Sequence, residues 1–184
     1  MTVEEDFLKN ALNALETYKG LADRAMEQVT DEQFFATLDV ESNSMAVIVK
    51  HLAGNLRSRW TDFLNSDGEK PDRDRDAEFE VQRSASRREL QDAWEAGWAL
   101  AFDVMKKLRP DDLTRTIYIR GEPHTVTKAI VRQLTHGSYH VGQIVFLAKH
   151  FASGSWRTLT IPRGKSRDVN AEMFAQRHDE QSAR

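Results

Sequence analysis

Residues 134–150 read LTHGSYHVGQIVFLAKH, and the coiling of this run decides the reading of the rest. Ile130, Leu134, Gly137, Val141, Ile144, Ala148 and Phe151 recur at helical spacing, which predicts a helix from about Thr127 to Ala152 with one apolar arc. His136 and His140 are four residues apart, so on that helix both rings leave the same side, one turn from each other. They fall at the edge of the apolar arc rather than on the solvated face. A third imidazole from a neighbouring helix would complete a facial triad with open coordination positions, the arrangement of a catalytic metal site.

His51 is the candidate for that third ring. It lies in SMAVIVKHLAGNLRSRW, residues 44–60, where Met45, Ile48, Val49, Leu52, Leu56, Trp60 and Phe63 predict a second helix. Ser44 or Asn43 would cap it, and it would run to about Asn65. The competing reading makes each histidine an ordinary boundary residue, and nothing in composition shows whether the two helices meet. HGSYH is not a zincin motif, because no Glu stands beside its first histidine as general base. Gly137 and Ser138, between the paired rings, are read either as room for a metal and substrate, as close approach of another helix, or as plain packing.

Two more helices are predicted. One covers about 3–29, with Phe7, Leu8, Ala11, Leu15, Tyr18, Leu21, Ala22 and Ala25 in phase; the other covers about 86–108, with Leu90, Trp94, Trp98, Ala101, Phe102 and Met105. Between them, residues 66–83 (SDGEKPDRDRDAEFEVQR) are dominated by charge and read as a solvated surface connection. Thr114 to Val126, TRTIYIRGEPHTV, joins strand-forming Ile117, Tyr118 and Ile119 to turn-forming Gly121 and Pro123, which predicts a small hairpin. From about residue 153 the tail is too irregular for a long helix, although its end is compatible with a short one. The expected fold is all-α, an up-and-down four-helix bundle with a small β-hairpin before the fourth helix, in a single domain over 1–184.

Bulk composition narrows function by exclusion. With 40% hydrophobic and 30% charged residues, the 184-residue chain fits a folded domain rather than a disordered one. A net charge of −3 gives no footprint for nucleic acid or an anionic membrane. The opening MTVEEDFLKN lacks a basic, apolar leader, and no apolar run approaches the ~20 residues of a spanning helix, so a cytoplasmic location is expected. The chain has no cysteine. Any metal must then be held by imidazole and oxygen, and any thiol chemistry needs a thiol brought in by a cosubstrate.

Residues one turn from the histidines are candidates to orient them: Asn55 beyond His51, Arg132 before His136 and Gln143 just beyond His140. Solvated polar side chains are the rival reading of all three. In the tail, IPRGKS would place Arg163 or Lys165 near an anionic substrate if it closed over the site; it lacks the glycine spacing of a phosphate loop. His124 is the candidate fourth ligand of a structural, closed site. His150 is ten residues past His140, about 15 Å along a helix, and too far to join.

The order of these histidines, one within SMAVIVKHLAGNLRSRW and a pair within LTHGSYHVGQI, resembles the DinB-like (DinB/YfiT-type) superfamily of metal-binding four-helix proteins. RDAEFE at 75–80, RRELQDAWEAGW at 87–98 and LTIPRGKSRDVN at 159–170 look like a branch labelled a domain of unknown function. The resemblance covers nearly the whole chain. It implies that His51, His136 and His140 bind one divalent metal, commonly zinc or nickel, and that the protein forms a homodimer. It also implies a metal-dependent enzyme acting on a small molecule, one that transfers a low-molecular-weight thiol such as bacillithiol or mycothiol or isomerises a substrate with a thiol's help. Three neutral imidazoles would leave the metal a strong Lewis acid, so a hydrolase activating water is the second enzyme reading. The rival class is a non-enzymatic ligand-binding or stress-associated bundle with a structural metal or none.

Overall fold

The computed structural model describes residues 1–80 and 85–182, and within these the chain is mostly helical, with six α-helices and one two-stranded sheet. Residues 81–83 of the predicted connection lie outside the described residues. α1 spans Val3–Met26 and opens with a reciprocal cap between Thr2 and Glu5; Glu4, Glu5 and Asp6 complement the positive end of the helix. It ends three residues before the expected Val29. Thr30 there takes an extended conformation and caps a short α2, Asp31–Phe35.

α3 spans Met45–Trp60 and is capped by the Ser44 hydroxyl, which accepts from the Val47 N–H. It stops five residues short of Asn65. Asp62 sits at φ 47°, in the left-handed region, so the helical ladder cannot continue through it. The turn still buries Phe63, whose ring stacks on Trp60 at 4.7 Å. α4, Arg87–Lys107, starts with a Ser86–Glu89 capping box. Strands β1 (Thr116–Ile119) and β2 (Glu122–Thr125) then pair antiparallel with Ile119 opposite Glu122. The two residues between them, Arg120 and Gly121, have φ of 56° and 73°, as a tight two-residue hairpin turn of this hand requires. α5, Val126–Ala152, follows directly with Thr125 as its cap.

α6, Ser166–Ser182, corrects the expectation of at most a short helix in the tail. Periodicity reports burial, and from 166 to 176 every side chain but half-buried Val169 is exposed, so there was little apolar stripe to read.

α1 packs on α5 and α4, while α3 packs on α4 and α5. The core between them holds Leu15, Leu52, Leu56, Trp60, Trp94, Trp98, Ile130 and Ile144, all essentially solvent-free. Gly97 lets α4 come close to α3: a Cβ there would meet Leu56 Cβ at 3.2 Å and Ala53 O at 3.3 Å. Trp94 keeps its polar edge satisfied, donating from Nε1 to Asp23 Oδ1 at 2.9 Å. The α3–α5 contact brings two distant segments of sequence face to face.

Candidate metal centre

His51 projects from the middle of α3, and His136 and His140 from successive turns of α5. The three rings converge, with one ligand nitrogen from each lying within 4.8 Å of the others. His51 Nε2 is 3.2 Å from His136 Nε2. Ring centroids are 4.9 Å apart for His51 and His140 and 4.7 Å apart for His136 and His140.

The hydrogen bonds behind the rings fix what they present. His51 Nδ1 lies 2.8 Å from Glu78 Oε2; a carboxylate only accepts, so the proton of neutral His51 sits on Nδ1 and the Nε2 lone pair faces the cluster. His140 Nδ1 donates to Gln143 Oε1 at 3.2 Å, which likewise frees its Nε2. Burial first, then His140, His51 and the charges of Arg59 and Arg132, push the His136 pKa down to about 3. Burial and His51 push His140 down to about 4, against the opposing pull of Gln143. Both rings are therefore neutral at pH 7 and ready to act as ligands.

This donor set fits a divalent cation. Two nitrogens each ~2.1 Å from one ion lie about 3.0–3.4 Å apart for angles between ~90° and ~109°. The observed 3.2 Å falls in that interval. Without a cation, the Nε2 atoms of His51 and His136 face each other as acceptors unless a proton sits between them.

Glu78 is the residue that sequence reasoning missed. It belongs to the charged connection read as a solvated loop, yet its side chain is only 8% exposed. Arg73, itself 4% exposed, grips it with two bonds, Nε to Oε1 and Nη2 to Oε2, both 2.8 Å. Burial alone would raise the Glu78 pKa, but the hydrogen bonds from His51 and Arg73 and the Arg73 charge outweigh it and hold the carboxyl below its ordinary value. Lys50 on α3 pins the same segment, donating to the carbonyls of Ala77 and Glu80 at 2.6 Å each. Phe79 lays its ring against His51 at 4.7 Å. The signal lay in Phe79, an aromatic residue isolated within a run of charge.

The other predicted residues divide. Gln143, a candidate to orient His140, accepts from its Nδ1. Asn55 does not orient His51, because Glu78 occupies that position; Asn55 is buried on the wall of the adjoining cleft, with its Oδ1 unpaired. Arg132 lines the same cleft, of about 420 Å³, which opens beside His51 and His136. Arg163 is exposed and is not among the residues lining the cleft. His124 is buried in the hairpin with its Nδ1 3.1 Å from the Glu122 carbonyl, and His150 is exposed near the end of α5; neither belongs to the cluster. A Cβ on Gly137 would meet nothing within 4 Å, so this glycine does not mark a close helix approach.

Fold and site together define a helical protein with a three-histidine cluster able to hold a metal ion. The chain belongs to the family described as "Protein of unknown function (DUF1572)", whose model matches residues 2–165. No curated protein matches it. Among the described residues, no helix is long and apolar enough to cross a membrane.

Proposed function

We propose that this chain is a metal-dependent enzyme of the DinB-like superfamily, a four-helix bundle in which His51, His136 and His140 hold one divalent ion, zinc or nickel. The observation that carries the reading is the convergence of the His51 and His136 Nε2 atoms at 3.2 Å, with Glu78 holding the His51 proton on the far side of its ring. The pairwise packing of α1, α3, α4 and α5 supports the bundle. The order of one early and two late histidines supports the superfamily.

A divalent cation in this place supplies Lewis acidity toward a cosubstrate thiol or a water. The chain's own residues do the rest. Glu78 and Gln143 hold two rings in the ligating tautomer, and Phe79 limits rotation of His51. Thiol transfer stands ahead of hydrolysis as the reaction class on the superfamily resemblance, and the cysteine-free chain is compatible with it, the thiol then coming from outside. The alternative, a non-enzymatic bundle with a structural metal, calls for a fourth protein ligand. Among the described residues the cluster holds three such groups, and an open cleft adjoins it, which favours the enzyme. A homodimer in the cytoplasm is the setting we propose for it.

The test is elemental mass spectrometry on untagged protein beside His51→Ala and His136→Ala, with circular dichroism to verify folding. About one zinc or nickel per chain, lost in both variants, supports the centre. A wild type that is empty and cannot be loaded with either metal overturns it in favour of a metal-free binding bundle.

A further inference from the structure

The cleft beside the histidines carries a charge pattern that the metal reading does not explain. Five arginines line it: Arg59 from α3, Arg73 and Arg75 from the connection after α3, Arg120 from the hairpin turn and Arg132 from α5. Among the described residues, no carboxylate lines it. Arg73 is neutralised by Glu78 and Glu69, and Arg120 is bonded to Glu69 at 3.1 Å. Among the described residues, Arg59, Arg75 and Arg132 have no acidic partner within salt-bridge distance. This concentration of positive charge stands in a chain whose net charge is −3.

Arg59 is the most telling of the three. Its residue is 5% exposed, and its Nη1 is buried with no hydrogen-bond partner. An unpaired buried guanidinium is destabilising, and folded proteins retain one where something else supplies the counter-charge. Its position follows from the helices. His51, Asn55 and Arg59 are spaced by four on α3, and Arg132 precedes His136 by four on α5. Both arginines line the same cleft as His51 and His136. Arg75 completes the wall from outside, its guanidinium 5.4 Å over the Phe79 ring that packs on His51.

We propose that Arg59, Arg75 and Arg132 form a subsite for a small dianion, a phosphate group or a pair of carboxylates, carried by the molecule that reaches the three-histidine centre. The position of that subsite relative to a reaction rests on the proposed function; the anion site itself stands on the arginines alone. Guanidinium groups suit this task because their planar forks pair with phosphate and carboxylate oxygens two at a time. A volume of about 420 Å³ suits a small molecule rather than a polymer.

The experiment is calorimetric titration of the full-length protein with phenyl phosphate and with malate, phenol serving as the uncharged control. One-to-one binding of at least one anion, weakened by added salt and absent for phenol, is expected. Arg132→Gln and Arg75→Gln should each weaken it by roughly tenfold, whereas Arg88→Gln, at a side chain 90% exposed on α4, should leave it unchanged. Arg59→Gln should abolish it. Because a buried-arginine variant can fail to fold, the exposed pair carries the test alone. Binding that survives in His136→Ala supports the subsite even if the metal reading fails. No saturable binding of either anion overturns it, as does affinity unchanged in the Arg75/Arg132 double variant. Binding removed by a chelator and indifferent to the arginines assigns the anion to a metal ion, and equally overturns it. The better of the two probes identifies the source of the charge.

Discussion

Glu78 shows how one carboxylate sets the behaviour of a ring it does not share a helix with. Replacing it with Gln keeps the shape and removes the charge that holds the His51 proton on Nδ1. Metal affinity should fall roughly 10- to 100-fold, measured by competition with a chelator, while the helical circular dichroism stays unchanged; equal affinity would show that Glu78 serves only packing. The rings themselves predict a pH dependence. His136 and His140 have folded pKa values of about 3 and about 4, below the ordinary histidine value of 6.5. The unfolded chain therefore binds more protons in that window, and stability is lost as pH falls from about 6.5 toward the folded values. In metal-free protein, urea midpoints should drop more between pH 7 and pH 4 for the wild type than for His136→Gln. At this scale the three histidines were legible because four-residue spacing and an apolar edge are both sequence properties. Glu78 was not, because Phe79 marks the segment as anchored but does not say which carboxylate in the run of charges is buried with it.

Elements place those residues, and α3 does so under a steric constraint. Gly54 costs the helix about 1 kcal/mol relative to alanine. A Cβ at this position, however, would lie 2.2 Å from Glu78 Oε1 and 2.8 Å from Glu78 Cδ. That carboxylate is held by Arg73 and His51 and cannot swing away freely. Gly54→Ala should therefore improve the helix locally while displacing Glu78, seen as weaker metal binding with no loss of helical signal. Retained affinity would mean that the connection shifts without cost. The long helices were readable from periodicity to within a few residues at most ends. The misplaced ends have local causes: the Thr30 cap after α1 and the left-handed Asp62 after α3. α6 escaped for the opposite reason, since a helix that buries little leaves little pattern in its sequence.

For the molecule as a whole, a ligand bound only by the folded state shifts the folding equilibrium. Zinc or nickel at 100 times its dissociation constant should stabilise the protein by about 2.7 kcal/mol, read as a higher thermal midpoint. His136→Ala should show no such rise; a rise of equal size in that variant would place the metal elsewhere. What sequence alone withheld at this scale was adjacency. Neither composition nor spacing says that α3 faces α5, and the candidate centre exists only because it does. That adjacency also orders events in time. His51 and His136 are separated by 85 positions, and two of the three ligands reside on α5. Contacts so distant along the chain form after the local ones. A nascent chain paused before α5 emerges would own one imidazole of the three and no site, so metal capture during refolding would date the arrival of α5 against the helices that precede it.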